Sequence, residues 1–109
     1  MNYNVKSITV FENQAKRLIK KYPSLKKELL ELIRDLKENP EQGTSIGKSC
    51  YKIRIAIASK GKGKSGGARI ITNIVVTKST VYLHSIYDKT EKENLTDKEL
   101  NELLKYIAE

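Results

Sequence analysis

The chain has little cysteine and no long apolar run, and both absences limit the classes of protein it can belong to. A single cysteine, Cys50, cannot form a disulfide within the 109 residues, so nothing indicates an oxidising compartment. No segment approaches the roughly 20 apolar residues of a membrane span, and the first residues lack the apolar run of a signal peptide. We therefore predict one cytoplasmic domain over residues 1–109, with no membrane partner.

Acidic residues are absent between Glu41 and Asp88, and this absence is the strongest feature of the sequence. Eight of the 21 lysines and arginines lie in residues 42–87, so the remaining 13 balance the 13 acidic residues. The entire net charge of +8 therefore belongs to this stretch, which we call the basic segment. A protein that is neutral elsewhere and cationic in one unit suits a polyanion such as RNA.

Residue types common in catalysis are also scarce. His84 is the only histidine, and a lone histidine on a strand is more often packed and hydrogen-bonded than catalytic. Cys50 would need His84 as its base, so we favour a buried thiol over a nucleophile. No cluster of histidine, cysteine or acidic residues lies near the basic segment, so the sequence predicts no metal ion, no cofactor and no paired-carboxylate chemistry.

Hydrophobic spacing predicts a helical hairpin before the basic segment. A short strand over residues 3–8 precedes a Thr9-x-x-Glu12 capping box, which starts the first helix. Pro23 ends this helix, and Ser24 can cap the second. In both helices the apolar residues recur at i, i+4, i+7, i+8 and i+11, which places them on one face. The outer faces carry lysines balanced by nearby acids, so we interpret them as solvated surface.

The hydrophobic period changes from 3.6 to 2 at Tyr51, after a polar loop. Strands are predicted from Tyr51 onward, over residues 68–77 and over residues 80–87. A Thr96-x-x-Glu99 capping box then starts a final helix. The order β-α-α-β-β-β-α predicts an α+β fold: a small, mostly antiparallel sheet with an N-terminal helical hairpin and a C-terminal helix, the helices lying on one face.

Alternation along the first central strand separates apolar from cationic side chains. Its isoleucines should face the helices, which leaves Lys52 and Arg54 on the other face, about 7 Å apart. Arg69 opens the neighbouring strand and should join them; we call these three residues the cationic cluster. Exposed lysines also protect edge strands from aggregation. However, like charges gathered without counter-charges cost stability unless an anion relieves them, so we favour an anion-binding role.

The loop between these two strands is rich in glycine and lysine. Its ASKGKGKS string, residues 58–65, resembles a nucleotide-binding phosphate loop, but that motif needs a following helix, and a β-branched run follows instead. We therefore predict that Lys60, Lys62 and Lys64 contact a nucleic-acid backbone.

Three short sequence motifs in this chain are similar to those of a known group of proteins. CYKIR at residues 50–54, SKGKGKSGGARII at 59–71 and IYDK at 86–89 resemble the RelE/ParE superfamily of bacterial type II toxins, and within it the HigB-like branch. The resemblance covers nearly the whole chain and implies a single RelE-like toxin domain over residues 1–109. It also implies a ribosome-dependent, metal-independent endoribonuclease, in which an mRNA 2′-hydroxyl attacks the adjacent phosphate.

The resemblance further implies the site residues. The catalytic set would be Lys52, Arg54, Arg69 and Lys89. A lysine base must lose its proton near neutral pH, which neighbouring cations favour; Lys52 would be that base, with Arg54 and Arg69 holding the phosphate. Lys89, in preference to His84, would serve the leaving group.

Substrate binding is expected from Tyr87 as well as the loop lysines. Many RelE-type toxins carry a tyrosine after the last strand that stacks near the cleaved nucleotide. Leu95 occupies the matching position here, so Tyr87 at the strand end is the candidate to replace it. Which residue acts as the general acid stays open at this point.

The resemblance implies two partners, and it leaves other functions open. The partners are mRNA on the ribosome, with contacts to 16S rRNA, and a helix-turn-helix antitoxin with a segment over the cationic cluster. A ParE-like gyrase inhibitor shares the fold but generally lacks a compact lysine and arginine site. A non-catalytic RNA- or ribosome-binding module would carry the same charge without cutting mRNA.

Overall fold

A computed structural model describes residues 2–61, 63, 66–92 and 96–105. In chain order its elements are β1 (Asn4–Ser7), α1 (Thr9–Lys21), α2 (Leu25–Glu38), β2 (Thr44–Gly47), β3 (Cys50–Ile55), β4 (Ala68–Val75), β5 (Thr80–Asp88) and α3 (Asp97–Leu104). The strands form one sheet in the order β1-β5-β4-β3-β2. β1 pairs with β5 in parallel, and the other neighbours pair antiparallel. The predicted α+β fold with a mostly antiparallel sheet is confirmed.

The helical hairpin packs on one face of the sheet, because α1 and α2 each present a single apolar face. Pro23 separates the two helices, as predicted. The buried residues of this main core include Phe11, Ala15, Leu18, Leu25, Leu29, Leu32, Leu36, Ile53, Ile57, Ile70, Ile74, Val81, Leu83 and Ile86. Ile53 faces the hairpin as expected, so the residues on either side of it in sequence face the opposite way.

The prediction of a polar loop before the first central strand was wrong, because β2 lies there. Thr44 pairs with Lys52 at the edge of the sheet. The strand lacks apolar alternation, so only its pairing with β3 identifies it. Gly43 is required by the close approach of this strand: a Cβ there would lie 2.4 Å from the Lys52 carbonyl oxygen, and the residue has φ of +93°.

The prediction that all helices lie on one face was also wrong, because α3 packs on the opposite face. Leu100 of α3 is buried against Cys50, Ile71 and Tyr87. Those three sheet residues alternate with the ones that face the hairpin, so α3 covers a second, smaller core. The face that carries the cationic cluster is therefore partly covered and not fully open.

Two of the predicted helix starts differ from expectation, and one agrees. The residue before α1 is Ile8, and the carboxylate of Glu12 accepts a hydrogen bond from the Ser7 hydroxyl at 2.6 Å, so no Thr9 capping box forms. At α2, the Ser24 side chain makes no capping bond to its own helix. The Thr96-x-x-Glu99 box is confirmed by reciprocal bonds of 3.0 and 3.1 Å.

Candidate active site

Three residues of the site form a row across the central strands. Arg54 of β3 lies opposite Arg69 of β4, and Arg69 lies opposite Tyr87 of β5. Residues directly opposite one another project from the same face of a sheet, with Cβ atoms about 4.5–5.5 Å apart. Their sequence neighbours Ile53 and Ile70 belong to the main core, so the row lies on the face turned away from the hairpin.

Lys52 lies beside this row. It precedes Arg54 by two residues and pairs with Ile71 of β4, so its side chain emerges on the same face. Lys52 is partly buried and Arg54 is exposed. The structure thus brings the three members of the cationic cluster together, as their spacing predicted.

Arg69 is a buried cation beside a second arginine. It is 3% exposed, and its guanidinium donates a hydrogen bond to the carbonyl oxygen of Ala68 at 3.2 Å. Burial, and after it the charge of Arg54, lowers the pKa of Arg69, while Tyr87 acts in the opposite direction. An arginine stays protonated all the same. Two like charges therefore stand on adjacent strands, an arrangement that a bound anion would stabilise.

The second helix brings acidic residues near the same site. Arg54 lines a cleft of about 280 Å³ together with Glu28, Glu31 and Asp35 of α2. None of the ion pairs found in the described part of the chain involves Arg54. The acidic residues of α2 therefore border the same cleft as Arg54 without forming an ion pair with it.

Tyr87 points toward the cationic cluster, a direction that the sequence left open. It is 6% exposed and packs with Cys50, Ile71 and Leu100. Tyr87 therefore lies between Arg69 and the small core under α3. Leu95, at the position where related toxins carry a tyrosine, lies outside the described residues.

Lys89 lies at the end of β5, two residues beyond Tyr87. Its backbone N–H donates to the carbonyl oxygen of Gly67 at 3.0 Å, where the basic segment returns to the sheet just before Arg69. Gly67 also packs closely against the end of β3, where a Cβ would lie 1.9 Å from the carbonyl oxygen of Ile55. The backbone of Lys89 therefore lies beside the end of β4 that begins with Ala68 and Arg69.

Lys60 occupies a different place from the one expected of a phosphate-binding lysine. It ends a short 3₁₀ turn, Ala58–Lys60, and its ammonium forms an ion pair with Asp88 in which the two side chains are 8% and 0% exposed. It also donates to the Thr90 hydroxyl at 2.9 Å and lies 5.4 Å from the centre of the Tyr22 ring. These contacts argue against a role for Lys60 in binding phosphate. Lys62 and Lys64 lie outside the described residues.

The start of this turn is held by α2. The carboxylate of Glu28 accepts a hydrogen bond from the N–H of Ala58 at 2.7 Å, and the Ser24 hydroxyl accepts one from the N–H of Ser59 at 2.9 Å. Neither these partners nor the role of Asp88 could be predicted from local sequence patterns. Their only sequence signal is that Asp88 is the first acid after the basic segment, inside the IYDK string.

His84 and Cys50 do not contribute reactive groups to the site. His84 is 0% exposed, burial lowers its pKa to about 4, and neither ring nitrogen has a partner among the described residues. It lies where the pairing of β4 and β5 shifts register, so the prediction of a packed histidine is confirmed, but that of a hydrogen-bonded one is wrong. The Cys50 thiol is buried, and burial raises its pKa.

The described residues contain no group of histidine, cysteine or acidic side chains able to hold a metal ion. Within the same part of the chain, no helix combines the length and the apolar character that crossing a membrane would need.

Comparison with known proteins adds a family and several similar folds. The family model described as "RelE toxin of RelE / RelB toxin-antitoxin system" matches residues 8–109. A mutant of the Escherichia coli toxin RelE in the free state has a TM-score of 0.61 at 20% identity, with 99% of this chain and 100% of that chain covered. The intact E. coli RelBE toxin–antitoxin complex gives 0.61 at 17% identity, covering 79% and 95%. The Mycobacterium tuberculosis RelBE2 complex gives 0.58 at 15% identity, covering 81% and 92%.

Proposed function

This chain belongs to the RelE toxin family of RelE/RelB toxin–antitoxin systems, and from that premise we propose that it is a ribosome-dependent endoribonuclease acting on mRNA without a metal ion. The observation that carries the proposal is the row of Arg54, Arg69 and Tyr87, with Lys52 beside it on one sheet face. A rigid sheet holds these side chains in a fixed array, as catalysis by positioning and charge stabilisation needs. Membership of the HigB-like branch stays a prediction.

The cleavage reaction divides among the four proposed catalytic residues. Lys52 takes the proton of the 2′-hydroxyl as its oxygen attacks the adjacent phosphorus. Arg54 and Arg69 hold the phosphoryl oxygens, and the fork of donors on a guanidinium matches two oxygens at once. The 5′-oxygen leaves with a proton from Lys89. The products are a 2′,3′-cyclic phosphate and a 5′-hydroxyl end, so the step consumes no water.

The remaining substrate contacts follow from position. Tyr87 borders the cationic cluster, and its small exposed part, 6% of the residue, is proposed to contact the nucleotide beside the scissile phosphate without offering an open ring face for stacking. Lys62 and Lys64 are proposed to contact the backbone of mRNA or of 16S rRNA. Lys60 is left out of this set, because Asp88 and Thr90 already engage its ammonium.

A cognate antitoxin is the second proposed partner. Solved structures with the same fold include RelBE toxin–antitoxin complexes, which supports a partner of that kind. We propose that its contact segment lies over the cationic cluster, where acidic side chains would offset the charge of Arg54 and Arg69.

The test is to map mRNA 5′ ends after inducing the protein in bacteria, and to repeat the cleavage on programmed ribosomes in vitro. New 5′ ends within translated mRNA are expected in both settings, and Arg69→Ala should abolish them. Binding to ribosomes without new 5′ ends would instead identify a non-catalytic RNA-binding module. DNA damage with continuing translation would identify a gyrase inhibitor.

A further inference from the structure

Asp88 is a buried carboxylate that binds four donors. It is 0% exposed. One of its oxygens accepts from the hydroxyl of Tyr22 at 2.8 Å. The other accepts from the N–H of Thr90 at 2.9 Å, from the hydroxyl of Thr90 at 2.8 Å, and from the ammonium of Lys60. These donors come from the end of α1, from the 3₁₀ turn and from the residue just past Lys89.

Burial of such a charge is costly unless its partners are well placed. Burial alone raises the pKa of Asp88, but hydrogen bonds from Lys60, from the backbone and side chain of Thr90 and from Tyr22 outweigh it, and the pKa lies well below its usual value. The carboxylate is therefore ionised at neutral pH. Apolar packing could close the end of β5 at less cost, so a charged acceptor at this position calls for a further explanation.

The contact to Thr90 acts directly on Lys89. A carboxylate oxygen that accepts from the N–H two residues on closes an Asx turn around the residue between them, and here that residue is Lys89. On its other side the N–H of Lys89 donates to Gly67. The backbone of Lys89 is thus held from both sides, by the Asp88 side chain and by the returning basic segment.

We propose that Asp88 is a positioning residue, which holds the backbone of Lys89 so that the Lys89 ammonium reaches the leaving oxygen of the scissile phosphate. The inference rests on the proposed function and on the role it gives to Lys89. Lys60 then has a separate role, because its charge makes the buried carboxylate tolerable. A displacement of about 1 Å in a catalytic group can lower a rate about 100-fold, so a backbone contact next to Lys89 has kinetic consequences.

The competing explanation is an ion pair that only stabilises the fold. Asparagine and alanine separate the two explanations. The asparagine oxygen still accepts from Thr90 and its amide N–H can donate to the Tyr22 hydroxyl, whereas alanine does neither. Both substitutions are made in a Lys60→Met background. The Lys60→Met change removes the ammonium that would otherwise remain buried beside a neutral side chain, and methionine packs well against the Tyr22 ring.

The measurement is single-turnover cleavage of mRNA on programmed ribosomes, at a temperature where circular dichroism shows both double variants folded. Lys60→Met/Asp88→Ala should show a maximal rate about 10- to 100-fold below that of Lys60→Met/Asp88→Asn, with a similar half-saturating concentration. Should the alanine variant not fold, Asp88→Leu restores volume without supplying an acceptor. Equal maximal rates, or an effect confined to the half-saturating concentration, would refute the positioning role.

Amide hydrogen exchange tests the backbone contact without requiring activity. The amide of Thr90 should exchange about 3- to 10-fold faster in the alanine variant than in the asparagine variant, as expected for one lost hydrogen bond. If the wild type cuts no mRNA, the proposed function fails. In that case equal exchange in the two variants would separately overturn the backbone contact, and faster exchange in the alanine variant alone would support it.

Discussion

Replacing Asp88 by asparagine in the otherwise unchanged chain should strongly destabilise the fold. The side chains of Lys60 and Asp88 are 8% and 0% exposed, and the substitution leaves the Lys60 ammonium there without a counter-charge. Removing one partner of a buried ion pair costs about 3–5 kcal/mol. Each kcal/mol lowers the melting temperature of a domain of this size by about 4–8 °C, so a fall of at least about 12 °C is expected.

The chain provides a matched control three residues further on. Glu91 pairs with Arg17 at 3.0 Å and with Lys21 at 3.4 Å, and these side chains are 36%, 60% and 51% exposed. Exposed ion pairs contribute little, so Glu91→Gln should melt close to the wild type. Thermal and urea unfolding followed by circular dichroism measures both variants. If Glu91→Gln proves as destabilising as Asp88→Asn, burial does not determine the strength of these pairs and the reasoning fails.

The pH dependence of stability is a second check on Asp88. Although burial alone raises its pKa, hydrogen bonds from Lys60, Thr90 and Tyr22 bring it below the usual value in the folded state. The unfolded chain then takes up the proton first. The stabilisation is fully present above the unfolded pKa of about 3.9 and is lost as the pH falls further. Asp88→Asn should not show this loss of stability. If its free energy of unfolding falls with pH on the acid side as steeply as that of the wild type, the lowered pKa does not belong to Asp88.

Three further predictions concern the site. Arg69→Lys should raise the barrier to mRNA cleavage by about 2–4 kcal/mol although charge is retained, because lysine lacks the two-pronged fork of donors. A wild-type single-turnover rate in this variant would exclude a phosphate-holding role for the Arg69 guanidinium. Lys52→Arg should also stop cleavage while leaving ribosome binding intact, since arginine keeps its proton, and a working variant would remove Lys52 as the base. His84→Gln should cut normally, because His84 is fully buried. An inactive His84→Gln variant that folds normally would identify the histidine as the catalyst. Because burial lowers the pKa of His84 from 6.5 to about 4, the wild type should lose stability as the pH falls between those values, and His84→Gln should lose less.

Local patterns determined most of the fold and the composition of the cationic cluster. A helix or strand with one buried face shows it as a period of 3.6 or 2, so the hairpin around Pro23 and the central strands could be predicted. The same alternation separates Lys52 and Arg54 from the isoleucine between them. Once the strands pair in register, Arg69 falls opposite Arg54. These features depend on neighbours in sequence and on one strand pairing.

Tertiary structure alone decided the contacts between residues distant in sequence. β2 has no apolar alternation and exists because it pairs with β3. The apolar face of α3 could be predicted, but its sheet face depends on Leu100 meeting Cys50 and Ile71. The basic segment has no acid of its own, yet the chain path brings Asp88 to Lys60 across 28 positions of sequence. Electrostatic pairing acts through space, so a count of charges along the chain identifies a cationic face without revealing which cation is already neutralised.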